Sequence, residues 1–204
     1  MRNVWMLVAL VTFVTAQVMT ISHAEEEKLF LPNVVDGVTG TIRVPDGYRL
    51  WPTLGTWAHA RTDKALETDG PGVQEYHVVH TQPETIAYYQ KTGQFPDGAV
   101  LVKELLNAKT TAMTTGPAVG HATTTKGWFV LVRDTKGRYK DSKLWGKGWG
   151  WSLFNADDPV HTVSKNFQVE CVPCHLPARS AASSTAVEED KWVYTYGYPV
   201  LQKK

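Results

Sequence analysis

Trp149, Trp151 and Leu153 alternate with Gly150 and Ser152. A period of two places the three large side chains on one face of an extended chain, so residues 149–154 read as a half-buried strand. Four further runs, at residues 47–51, 75–80, 99–105 and 127–133, are rich in β-branched and aromatic residues and are bounded by Gly, Pro or Asp. Helical signals are sparser. Thr81 and Glu84 have capping-box spacing, Pro83 suits a first turn and Gly93 offers a stop, which predicts a helix over residues 82–91. A second helix is expected after Asp157-Asp158, with Pro159 as its first residue, running toward Cys171. Residues 110–125, rich in Thr and Gly, and the small, polar residues 178–190 read as loops. The core is therefore expected to be built on a sheet, and no internal repeat is evident.

The N-terminus stands apart. Met1-Arg2-Asn3 is a short positive start, residues 4–21 are almost wholly apolar, and Ser22-His23-Ala24 precedes three glutamates. That order predicts a secretory signal over residues 1–24, cleaved to leave a single domain of residues 25–204. The competing reading is an uncleaved anchor, because the apolar stretch just reaches the roughly 17 residues needed to span a bilayer. Arg2 is the only charged residue in the leader, so the 21 basic and 20 acidic side chains of the whole chain become equal in number after cleavage. Such a balance argues against a nucleic-acid partner and gives no reason to expect a membrane surface as one.

Cys171-Val172-Pro173-Cys174-His175 is a C-x-x-C-H sequence, the attachment signature of haem c. The spacing lets two thiols reach neighbouring vinyl groups of one porphyrin while the adjacent imidazole coordinates iron, which makes Cys171 and Cys174 the tethers and His175 the axial ligand. Two other readings compete. A dithiol–disulfide pair is compatible with an exported protein, but a thioredoxin-like site belongs near the start of a βαβ pattern, which this chain lacks. Structural zinc normally takes four protein ligands, and no second Cys pair exists.

Function then turns on the sixth position of the iron, since a Met or His there makes an electron carrier whereas an open site binds small molecules. After the leader, Met113 is the only methionine, and the histidines outside the motif are His59, His77, His80, His121 and His161. His77 and His80 should lie on opposite faces of one strand, so at most one of them points inward. The late motif and the Trp-, Thr- and Val-rich runs disfavour a four-helix cytochrome.

With these features in place, the chain resembles the cytochrome P-460 family, which includes the β-sheet cytochromes c′ (c′-beta). The resemblance runs from Val44-Pro45-Asp46-Gly47-Tyr48-Arg49-Leu50-Trp51, through Lys91-Thr92-Gly93-Gln94-Phe95-Pro96-Asp97-Gly98 and the following Ala99-Val100-Leu101-Val102-Lys103-Glu104-Leu105, to the Cys-x-x-Cys-His motif and Tyr198-Pro199-Val200-Leu201. It implies a mainly β, antiparallel fold with a few peripheral helices, a haem-bearing C-terminal segment, one covalent haem c with its iron per chain and commonly a homodimer, while the secretory leader is what points to a periplasmic location. In members that oxidise hydroxylamine a lysine is joined to the haem, and the matching position is Lys103. Leu101 and Leu105 flank it on the same face, so an inward, partly desolvated amine is consistent with the pattern, against the commoner arrangement of a lysine facing water. Those members also carry a distal carboxylate. The matching position falls near Val130, and no carboxylate occurs in residues 127–133, while Glu104 should point away from Lys103. Val130, with Phe95, Trp128 and Phe129, therefore suggests an apolar distal wall. The expected ligand is a small diatomic or nitrogen oxide such as nitric oxide, with redox turnover through a periplasmic electron-transfer partner as an accompanying role. Hydroxylamine oxidation and simple electron transfer remain the alternatives.

Overall fold

The computed structural model describes residues 33–60 and 72–202, so the expected leader over residues 1–24 lies outside the described residues. Six strands form one antiparallel sheet: β1 (Thr53–Ala60), β2 (Val73–Thr81), β3 (Val100–Met113), β4 (Gly116–Arg133), β5 (Trp145–Gly146) and β6 (Trp149–Asn155), in the order β1-β2-β3-β4-β6-β5. Three α-helices accompany it, α1 (Pro83–Thr92), α2 (Phe167–Glu170) and α3 (Val172–Ala181).

Both faces of the sheet are covered. On one, Val100, Val102, Val130 and Val132, each no more than 1% exposed, pack with Phe154 and Trp145 against the N-terminal segment around Val34 and Ile42. The other carries Leu101, Trp149 and Trp151, which pack with Phe167, Cys171, Trp192 and the C-terminal residues Tyr198 and Leu201. Cross-strand partners share a face, so the ladder fixes which side chains meet: Val79, Lys103 and Phe129 are successive partners, and so are Leu101, Leu131 and Trp151. This second face forms the wall of the functional site.

Several local expectations are corrected. Residues 47–51 form a 3-10 turn, Tyr48–Leu50, entered through Gly47 at φ 72, a left-handed conformation that suits glycine. Residues 110–125 are not a loop but the outer half of the β3–β4 hairpin, whose polar side chains are mostly exposed while the main-chain ladder continues. No helix starts at Pro159. Asp158 Oδ1 accepts from the N–H groups of Val160 and His161, closing a local turn that competes with helix, and residues 162–164 hydrogen-bond to Leu153 alongside β6. Helix begins only at Phe167, where the Asn166 side chain accepts from Gln168 N–H. Helix α1 is present, but Thr81 donates to Val100 O rather than capping it, and Gln82 occupies the N-cap. Finally, β6 is buried on both faces: a Cβ at Gly150 would lie 2.7 Å from Ile42 and from Trp145, so only a residue without a side chain fits there.

Candidate functional site

The Cys-x-x-Cys-His sequence spans the junction of two helices. Cys171 ends α2, and Pro173 sits in the first turn of α3, where the missing N–H has no intrahelical partner to lose. Both thiols are free, Cys171 buried and Cys174 exposed. Burial pushes the Cys171 thiol up to about 11, so it stays protonated at neutral pH.

His175, one position on, is oriented by the C-terminal segment. Its Nδ1 lies 2.6 Å from the carbonyl oxygen of Trp192. Only a protonated Nδ1 makes a hydrogen bond to a carbonyl, so Nε2 keeps a free lone pair, the form in which imidazole binds iron. Burial is the main cause that pushes its pKa down to about 4, with the Trp192 contact opposing, and the ring is neutral at pH 7. Trp151 meets the imidazole edge-on, with centroids 4.9 Å apart, and Tyr194 donates to Cys174 O from the same side.

These groups open onto a cavity of about 460 Å³. One wall is the second face of the sheet, with Val79 from β2, Leu101 and Lys103 from β3, Phe129 and Leu131 from β4, and Trp151 from β6; the C-terminal segment adds Val193, Tyr194 and Tyr198. At the β1–β2 end the lining turns polar, with His59 and His77.

Lys103 thus shares a cavity with Cys171, Cys174 and His175. Its pKa lies below the usual 10.5, chiefly through burial, while the charge of Glu75 opposes that shift. Glu104, its neighbour, points to the other face and pairs with Arg49.

Val130 does not line the cavity. It is fully buried in the first core, because the cross-strand partner of Lys103 is Phe129, and the alternation of β4 then turns Val130 and Trp128 to the opposite face. Phe129 takes the place expected of Val130, while Phe95 packs behind the cavity between Tyr89 and Trp149. Met113 ends β3 at the hairpin tip and is 53% exposed. His80 is buried on the far side, its Nδ1 3.3 Å from Trp51 O, and His121 and His161 are exposed. Sequence reasoning passed over Trp57, Trp151 and the tyrosines of the C-terminal segment, whose contribution depends on long-range packing. It also passed over Glu75, two residues from His77 and therefore on its face.

The family model of cytochrome P-460 matches residues 45–195, which carry the whole sheet and the Cys-x-x-Cys-His motif. The chain belongs to the cytochrome P-460 family. A search of curated proteins returns no match. Membership implies a haem with its iron, and the cytochrome P-460 pocket fits that group on its own chemistry. Its volume falls within the roughly 300–1,000 Å³ usual for cofactor sites. The lining is largely apolar, two free thiols stand three residues apart, and a neutral imidazole has its Nε2 unengaged by the Trp192 contact.

Proposed function

We propose that this chain is an exported, periplasmic monohaem c-type cytochrome that binds a small ligand such as nitric oxide at an open haem site. Bound haem supplies an iron that changes oxidation state and accepts small ligands. Cys171 and Cys174 would hold the group through two thioethers, each thiol adding its sulfur and its hydrogen across one vinyl group. His175 is held as the Nε2 donor by Trp192 and Trp151. Val79, Leu101, Phe129 and Leu131 exclude water from the ligand's side and favour small, weakly polar molecules.

The supporting observation is the composition of that wall. That wall has no methionine, Met113 being at the hairpin tip, and among the described residues the one carboxylate lining the cavity, that of Glu170 on α2, is engaged by the N–H groups of Lys165 and Asn166. The electron-carrier reading loses its methionine ligand, and hydroxylamine oxidation lacks a carboxylate base on this wall. A second reading nevertheless keeps support from Lys103: an amine in the same cavity as the two thiols is suitably placed for a covalent bond to the haem.

The test is an absorption spectrum of oxidised and reduced protein with intact mass on the same sample. A mass larger than the polypeptide by one haem after denaturation, with five-coordinate bands that change on adding nitric oxide, is the expected result. A far red-shifted reduced Soret band would transfer the assignment to the lysine-linked reading. Sharp six-coordinate bands indifferent to nitric oxide would overturn the open site.

A further inference from the structure

At the polar end of the cavity the lining residues His59 and His77 adjoin further titratable groups. Glu75 and His77 project from the same face of β2, with His77 Nε2 2.5 Å from Glu75 Oε1. The other oxygen of Glu75 is 2.5 Å from Lys126 Nζ on β4. The exposed His59 of β1 lies against the His77 ring, centroids 4.0 Å apart, and connects the cavity to solvent. Three strand spacings of about 4.8 Å separate β2 from β6, where Trp151 contacts His175, so this group stands across the cavity from the axial imidazole.

We infer that His77, positioned by Glu75, is the proton-accepting group for protic ligands entering the cavity, small molecules HX that bind iron as X⁻. This rests on the open-site reading above. The carboxylate fixes the tautomer: Glu75 accepts the Nε2–H, leaving the Nδ1 lone pair as the base. In the step, the H–X bond breaks and the proton passes to Nδ1. The anion X⁻ stays in the cavity with the bonding pair, and the imidazolium so formed lies against the Glu75 carboxylate. No electron is transferred and no oxidant is needed. Release of the ligand runs the step backward.

Electrostatics agree with this assignment. The groups facing His77 are Glu75 on its own strand, His59 on β1, Lys103 on β3 and, through Glu75, Lys126 on β4. Burial is the largest influence and holds the ring below the usual 6.5, with Lys103 and His59 adding to it and Glu75 opposing. The imidazole is therefore available as a base at neutral pH. Glu75 is kept ionised: burial raises its pKa, but the bonds from Lys126 and His77 outweigh that.

Cyanide and carbon monoxide separate this role from packing, because hydrogen cyanide must lose a proton to bind and carbon monoxide has none. Association of cyanide with the ferric holoprotein and of carbon monoxide with the ferrous holoprotein would be measured for wild type, His77→Gln and Glu75→Gln. The ratio of the two rates should fall about a hundredfold in His77→Gln. In Glu75→Gln it should fall less, and the pH at which cyanide association fades should move lower, since loss of the carboxylate favours the neutral ring. An unchanged ratio in both variants, or in Glu75→Gln alone should His77→Gln not fold, overturns the inference, as does an equal loss of both rates. Failure of wild type to bind carbon monoxide at all would sink the open-site reading instead.

Discussion

The amine of Lys103 sits 4.4 Å from the centroid of the Phe129 ring, its cross-strand partner on the cavity wall. Among the described residues no carboxylate comes within ion-pair distance of it. A largely buried ammonium whose carboxylate partner, Glu75, acts on it only at a distance is destabilising, and the ring face offsets only part of that. In protein whose spectrum shows an unlinked haem, Lys103→Met should raise stability by about 1 kcal/mol at pH 7. The folded pKa is depressed, so the unfolded chain binds the proton more readily and wild-type stability rises with pH toward 10.5. The advantage of methionine should shrink over the same range. Urea unfolding at several pH values measures both, and a destabilised methionine variant would count against the unpaired amine.

Phe129 and Val130 are neighbours with opposite surroundings. Val130→Ala removes two methyl groups from a fully buried position and should cost about 2 kcal/mol while leaving the haem spectrum unchanged. Phe129→Leu should alter ligand association at a cost below about 1.5 kcal/mol. Paired unfolding and stopped-flow measurements check the contrast, and a spectral change in Val130→Ala would contradict the register of β4.

Glu104 is 4% exposed and accepts from Arg49, at 2.5 Å, and from Thr125. Burial raises its pKa, but the bonds from Arg49, Tyr48 and Thr125 carry it below 4.5. Its stabilisation is therefore present above pH 4.5 and lost as pH falls through the folded value. Arg49→Gln should cost about 1–2 kcal/mol at pH 7 and progressively less in acid. Thermal unfolding from pH 7 down to pH ~3 tests this, the contrary result being a penalty that does not change with pH.

Asp190 behaves in the opposite sense. It accepts from Phe95 N–H, and its Oδ1 lies 3.2 Å from Arg133 Nε without hydrogen-bond alignment. Burial prevails over both partners and pushes its pKa up to about 6 from 3.8. A raised folded pKa means that stability is greatest below 3.8 and declines as pH rises through about 6. Asp190→Asn keeps the acceptor for Phe95 and cannot ionise, so it should gain on wild type across that window. Melting temperatures of the two proteins at matched pH decide it.

The central strands were legible because residues 75–80, 99–105, 127–133 and 149–154 are short runs rich in β-branched and aromatic side chains that pack against cores on both faces of the sheet, with turn residues at their ends. The outer hairpin was not, because residues 110–125 pair through main chain while their side chains meet solvent, so nothing selects an alternating pattern. Gly47 and Asp158 redirected the chain through single-residue geometry that composition does not encode. At the site, the Cys-x-x-Cys-His motif and the lysine strand could be read locally. The place of Val130 could not, since the face it occupies follows from its pairing with β3 and not from β4 alone. Glu75 was within reach of the same alternation that singled out His77, but its meaning required Lys126 from two strands away.

The sheet carries a valine-rich core on its reverse, so its strands are packed from behind as well as through the cavity-side core to which Val79 and Leu101 belong. Residues such as Lys103 and Phe129 are therefore a lining mounted on a panel braced from behind. Substitutions there leave the reverse core in place, so the chemistry of the cavity surface is free to change while the register of the sheet is kept.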